Sequence, residues 1–316
     1  MTTTRNTYTR LTQSEIAIQI ERLVKAIEQH DTPAFRIRSS CLGYEPVEET
    51  KLSRYFVHIR EMVDLFDDRC EYGYSEHLQA FKEACQDVGL ERGTAEPVCL
   101  NGTGSAYLHH HQSMNVLVER IRQLTGAQRY RRKRVDRRYQ VREQERVITD
   151  YVDAVVDRYS RTLIVRVDLY YRSAAQARLR VEHVFDDLDR LIGERERNAI
   201  FEHETGYICS VEQGEDRGYH VHAAFFFNGH EVRGDIYKAQ QIGELWERIT
   251  RGHGCFNSCN HNKESYGERL GIGLIKRNDH NARSHVHYAM HYLVKDEQQL
   301  LVKPLRAKCL RKGQAG

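Results

Sequence analysis

Proline and tryptophan are scarce in this chain, with four prolines and a single tryptophan, Trp246, in 316 residues. So few prolines, together with the absence of any low-complexity tract, speak against long disordered linkers. No window approaches about 18 uncharged apolar residues, so no membrane span is expected. The first residues, Met-Thr-Thr-Thr-Arg-Asn-Thr-Tyr, contain no apolar signal region, and the expected location is the cytoplasm. Eight cysteines are present but scattered, with no C-x-x-C pair, which fits reduced thiols better than a secreted disulfide framework. A large net charge is missing too, the formal value being +3.

What positive charge there is clusters. Arg129, Arg131, Arg132, Lys133, Arg134, Arg137, Arg138 and Arg142 fall within fourteen residues, opposed by Asp136 alone and interleaved with Tyr130 and Tyr139. Such a run suits phosphate contacts and base stacking, and equally suits a solvated basic helix face.

The two halves of the chain differ in periodicity, so the expected division is a mainly helical region over 1–150 and a second domain over 151–316. In the first, Thr12-Gln-Ser-Glu15 is a capping box followed by Ile16, Ile20, Leu23, Val24 and Ile27 at helical spacing. Further helices are expected over Leu52–Phe66, Glu76–Leu90 and Met114–Leu124, with a loop over Glu91–Ser105. In the second half, strands are expected at Arg161–Tyr171, Thr205–Gln213, Tyr219–Asn228, Leu270–Ile275 and Gln299–Lys303. Helices are expected at Val181–Arg197, Asp235–Arg251 and Ser284–Lys295. Antiparallel strands with helices inserted indicate an α+β fold, and the strand-helix-strand-strand-helix-strand order resembles a split ferredoxin-like unit.

The most specific signal is His220-Val221-His222 within an apolar strand. Alternation places both imidazoles on one face, read as exposed, and Val221, Ala223, Phe225 and Phe227 on the other. Two histidines call for a third ligand. Glu212, on the preceding strand of a hairpin closed by Gln213–Gly218, is the best candidate, with Gln213 and Glu215 weaker. A His-His-Glu set suits Mg²⁺ or Mn²⁺ and would also take Zn²⁺. A lone His-x-His is more often simple decoration of a strand. Tyr288 and Tyr292 lie four apart in the expected helix, roughly 6 Å between Cβ atoms. An i,i+4 aromatic pair by itself belongs to a core, but Met290, Leu293 and Val294 can supply that apolar side here. A phenol with an ordinary pKa of about 10 is a poor nucleophile unless charge is withdrawn from the group it attacks. Lys295, three residues on, is positioned to bind a phosphate or a leaving oxygen.

These residues resemble the HUH endonucleases, the superfamily of rolling-circle replication initiators, relaxases and related transposases. His220-Val-His222 resembles the His-hydrophobic-His motif, Glu212 the third ligand on a neighbouring strand, and Tyr288-x-x-x-Tyr292 with Lys295 the paired-tyrosine helix. Leu163 to Pro304 is most similar to replication proteins of filamentous phages (inoviruses) and their prophage-borne relatives, although His291 stands where such helices often carry lysine. The resemblance implies a five-stranded antiparallel sheet with flanking helices. It implies metal-dependent nicking and joining of single-stranded or hairpin origin DNA through a 5′-phosphotyrosine, in a bacterial host and with a host helicase as partner. Asp168 falls on a first-strand motif, and His291 becomes a possible helper at the phosphate.

Two rival readings stand beside this one. One is a catalytically silent, initiator-derived DNA-binding regulator. The other is a zinc-stabilised regulatory protein using Cys255, Cys259 and His261, although C-x₃-C-x-H is tight for one tetrahedral site. His109-His110-His111 has no carboxylate or cysteine at ligand spacing and reads as a helix start or loop.

Overall fold

The structure is a computed structural model and describes residues 11–38, 46–66, 71–91, 96–294 and 300–314. Cys41, Cys70 and Lys295 lie outside the described residues. The chain divides into two compact units, residues 1–136 with 301–305, and residues 137–300 with 306–316.

The first unit is mainly helical: α1 (Gln13–Gln29), α2 (Ile59–Asp64), α3 (Glu76–Asp87) and α4 (His110–Gly126). The capping box at the start of α1 is complete. Thr12 Oγ1 accepts from the Glu15 N–H at 3.1 Å, and the Glu15 carboxylate accepts from the Thr12 N–H at 2.8 Å. Two otherwise orphaned donors are thereby satisfied. Ile20, Leu23, Val24 and Ile27 form the buried stripe of this helix. Two small antiparallel pairs complete the unit: β1 (Phe35–Ile37) with β2 (Val47–Glu49), and β3 (Tyr72–Tyr74) with β9 (Val302–Pro304). The strand expected over 299–303 is thus found at Val302–Pro304, and its partner is β3, not the large sheet. Three residues carry too little pattern to choose a neighbour.

A 30-residue helix, α5 (Gln128–Asp157), runs from the basic segment into the second unit. There it is followed by β4 (Arg161–Tyr171), the short α6 (Ser173–Gln176), α7 (Val181–Glu194), β5 (Glu204–Gly214), β6 (Gly218–Asn228), α8 (Asp235–Ile249), β7 (Gly254–Ser258), β8 (Gly273–Lys276), α9 (His280–His291) and β10 (Leu310–Lys312). The fold is α+β. Its large antiparallel sheet has six strands in the order β10-β5-β6-β4-β7, with β8 also on β4, where five were expected. The hairpin is tighter than its sequence suggests: Gly214 pairs with Gly218, so three residues, Glu215 to Arg217, make the turn. Gly218 takes a φ of 60°, a left-handed conformation that glycine adopts without strain.

β4 is the hub. One edge pairs with β6 along most of its length, while the other is shared, Arg161–Ile164 with β8 and Val167–Tyr171 with β7. The fully buried Asn260 fills the break between those two partners. Its Oδ1 accepts from the Arg166 N–H at 2.7 Å, and its Nδ2 donates to the Ile164 carbonyl at 3.0 Å. A side-chain amide thus replaces a missing strand residue, as buried backbone groups require.

One face of the sheet, represented by Ile164, Ile208, Ala224 and Phe226, packs under α5 (Ile148, Tyr151, Val152, Val155) and α9 (Val286, Ala289, Met290). The opposite face carries Phe225 and Phe227 and is covered by α7 and α8. The tyrosine helix starts earlier than its periodicity suggests, because Asp279 caps it by accepting from the Ala282 N–H at 3.0 Å. It ends at His291, and Tyr292–Val294 continue as a 3₁₀ turn. Among the described residues no helix is long and apolar enough to cross a membrane.

Candidate metal centre and tyrosine cleft

Register alone brings the predicted ligands together. On neighbouring strands Glu212 lies directly opposite His220, and His222 lies opposite both Ser210 and Asp168. A carboxylate oxygen of Glu212 sits 3.3 Å from His222 Nε2 and 4.0 Å from His220 Nε2. One ligand atom from each of the three residues falls within 4.8 Å of the others, and this is the sole such cluster among the described residues. It is not on an exposed face, as the strand pattern suggested. Glu212, His220 and His222 are 3%, 4% and 4% exposed. α5 and α9 close over that side of the sheet, which alternation within a strand cannot reveal.

The geometry fits a cation. His220 Nδ1 donates to the Gly218 carbonyl at 3.0 Å and His222 Nδ1 donates to Asp168 at 2.5 Å, so both rings aim Nε2 at the common point. A carboxylate behind a ligating imidazole fixes its orientation and raises its basicity. Both Glu212 oxygens and His222 Nε2 are buried without a hydrogen-bond partner. Two buried carboxylate oxygens without a well-formed bond are costly unless something positive meets them, a proton on His222 in the metal-free protein or a cation in its place. Burial works against a charged His222, but the bond to Asp168, the approach of Glu212 at 3.3 Å and the attraction of both carboxylates outweigh it and push its pKa up to about 9. Burial likewise opposes ionisation of Asp168, yet the His222 bond and the charges of His222 and Arg166 hold its carboxyl at about 2. Burial, then the charge of His222, push His220 down.

The two tyrosines are placed differently. The Tyr292 ring packs edge-on against His222, 5.8 Å between centroids, while Tyr288 is 55% exposed with the Arg269 guanidinium 5.2 Å from its ring. Both line one cleft of about 360 Å³, whose walls include Arg166, Asp168, Cys259 and Tyr266. His291 is turned elsewhere, its Nε2 lying 2.7 Å from Thr149 Oγ1 on α5. His287 does likewise, lying 3.1 Å from Asp153. Among the described residues Cys255, Cys259 and His261 form no ligand cluster: Cys255 belongs to β7, and Cys259 is buried beside the cleft. None of the six described cysteines forms a disulfide.

The basic segment is helical, and part of its charge is already engaged. Arg129 pairs with Glu83, Arg134 with Glu28 at 3.1 Å, and Arg131 donates to the Gly126 carbonyl at 2.7 Å. Tyr130 is buried, its hydroxyl donating to Glu28. Arg132, Lys133, Arg138, Tyr139 and Arg142 are exposed, and Arg137 is half-buried.

Asp168, expected only as a residue of a first-strand motif, is the acceptor that orients His222. One contributor escaped the sequence reading, Arg166, a buried cation beside Tyr292. Its signal was present, since Arg166 and Asp168 are charged residues two apart on an otherwise uncharged strand interior.

Fold and site together define an α+β domain whose central sheet holds a buried Glu-His-His cluster able to bind a metal ion. The YagK/YfjJ C-terminal domain family is matched over residues 125–301, more than half the chain, and the protein belongs to that family. Comparison with curated proteins and with solved structures gives no match.

Proposed function

We propose that this protein is a metal-dependent DNA nickase and strand transferase of the HUH type that starts rolling-circle replication of a phage or prophage-like element. The observation that carries the reading is the packing of Tyr292 against the metal-ligand pair, 5.8 Å from the His222 ring, at the end of a cleft shared with Tyr288. Glu212, His220 and His222 would hold Mg²⁺ or Mn²⁺, which when bound withdraws charge from a scissile phosphate. Asp168 keeps His222 in ligating orientation. The Tyr292 hydroxyl oxygen attacks phosphorus and gives its proton to water, the bond from phosphorus to the 3′-oxygen breaks as the 5′-phosphotyrosine forms, and the departing 3′-oxygen takes up a proton from water. Covalent capture conserves the phosphodiester for rejoining. Tyr292, nearest the cluster, acts first, and Tyr288 at the open end of the cleft serves the second transfer. Lys295 would assist at the phosphate, and the exposed Arg132, Lys133 and Arg138 of α5 would contact the DNA backbone.

The test is to incubate the full chain with Mn²⁺ and single-stranded oligonucleotides spanning the DNA around its own gene, then separate covalent adducts on a denaturing gel. An adduct that disappears in Tyr292→Phe, and in the wild-type protein when chelator is added, is expected. Adduct formation undiminished in the Tyr288→Phe/Tyr292→Phe double variant would refute the assignment. The near-complete burial of the three ligands favours a second reading, a silent DNA-binding regulator. That reading predicts salt-sensitive binding without adduct or metal requirement.

A further inference from the structure

Arg166 is the only buried arginine among the described residues, 5% exposed, and ion pairing alone does not account for it. Its backbone is fixed on both sides: the N–H is bonded to Asn260, and the carbonyl accepts from the Cys259 N–H at 3.1 Å. The guanidinium reaches the wall of the cleft and lies 4.8 Å from the Tyr292 ring centroid. Its one acidic neighbour among the described residues is Asp168, 3.6 Å from Nη2, beyond hydrogen-bond range. The same Asp168 oxygen is already occupied by His222 at 2.5 Å. Arg166 Nε is buried with no hydrogen-bond partner. A buried arginine kept for an ion pair makes a close, forked contact with its carboxylate, and this one does not.

We propose that Arg166 is the phosphate-binding residue of the cleft, its guanidinium fork taking the non-bridging oxygens of a phosphodiester laid against Tyr292. This rests on the reading of the cleft as a phosphodiester site. Arginine suits the task, because its planar donor pair matches two phosphate oxygens and its stacking on a phenol ring fixes the approach. The charge also suits it. A dication in the cluster together with Arg166 brings three positive charges against the two carboxylates of Asp168 and Glu212. The excess of one equals the charge of one phosphodiester. Arg166 thereby supplies from the sheet a cation that the sequence pattern had sought beside the tyrosines, in Lys295 and His291.

The experiment uses the full-length protein with inorganic phosphate as probe, titrated by ³¹P NMR, comparing wild type with Arg166→Gln and Arg166→Lys. Loss of a charged hydrogen-bonding fork weakens phosphate binding by about tenfold or more in Arg166→Gln, and by less in Arg166→Lys, which keeps the charge. Mn²⁺ affinity in Arg166→Gln stays equal or rises, since a neighbouring positive charge has gone. Should that variant fail to fold, the wild-type Arg166 Nε–H resonance carries the test: it shifts on adding phosphate if Arg166 is the ligand. Phosphate binding at wild-type strength in Arg166→Gln, no binding by the wild type, or an unmoved Nε–H resonance would overturn the proposal. If phosphate binding depends on Arg166 but no DNA adduct forms in the wild type, the nickase reading falls and the Arg166 site stands. If Arg166→Gln forms the adduct at the wild-type rate, the Arg166 site falls and the nickase reading stands.

Discussion

The two faces of the central sheet are equally buried and built on opposite terms. Under α7 and α8, Leu163, Val165, Val167, Leu169, Val221, Phe225 and Phe227 make an apolar layer. Two large polar-tipped side chains that enter it are satisfied: the Tyr171 hydroxyl donates to Asp187 at 2.8 Å, and Trp246 Nε1 donates to the Tyr170 carbonyl at 3.0 Å. On the α5 and α9 side the same strands bury Arg166, Asp168, Glu212, His220 and His222, and atoms of Arg166, Glu212 and His222 have no partner. Each such group costs about 1–3 kcal/mol. Folding needs only the first arrangement. The second is the mark of a site whose missing partner is a ligand, because a sheet that can fill one face with phenylalanine can fill both.

Substitutions sharpen that contrast. The largest effect belongs to the apolar face: Phe225→Ala, which empties a fully buried ring position, lowers unfolding free energy by about 3–5 kcal/mol in urea denaturation. It leaves the divalent-ion affinity of the folded protein unchanged. His220→Gln does the reverse, because among the described residues this ring is bonded only to the Gly218 carbonyl and has no carboxylate behind it. Mn²⁺ binding followed by calorimetry weakens by about 100-fold, while the metal-free protein melts close to wild type. A large loss of metal-free stability in that variant would erase the distinction between the faces. Asp168→Asn is smaller, weakening Mn²⁺ about 10–100-fold, since His222 stays but loses its orienting carboxylate.

The smallest effect concerns the basic helix, where engaged and exposed cations can be compared directly. Arg132→Ala or Arg138→Ala lowers the slope of log affinity for single-stranded DNA against log salt by about 0.7. Arg134→Ala, which removes an ion pair to Glu28, acts mainly on thermal stability. Equal salt slopes for all three would show that the exposed positions carry no phosphate contact.

Much of this was legible in the residues. Arg161–Tyr171 is bounded in the structure as its alternation predicted, and the capping box at Thr12 and the helix starts at Val181 and Asp235 followed from local chemistry. Glu212 was found because a hairpin of known phase sets its partner arithmetically, and the pairing with His220 follows. Short strands were less legible. Gly254–Ser258 and Leu310–Lys312 lack alternation long enough to register, and become strands only because β4 and β5 offer open edges. The α+β class and the Glu-His-His cluster came from the sequence, whose alternation and hairpin phase are local. Only the tertiary structure could bury that cluster, set Tyr292 against His222 with Tyr288 outward, and turn His291 toward Thr149. Those outcomes depend on which helices settle on which face of the sheet, and contacts between elements far apart in the chain leave no period in the sequence.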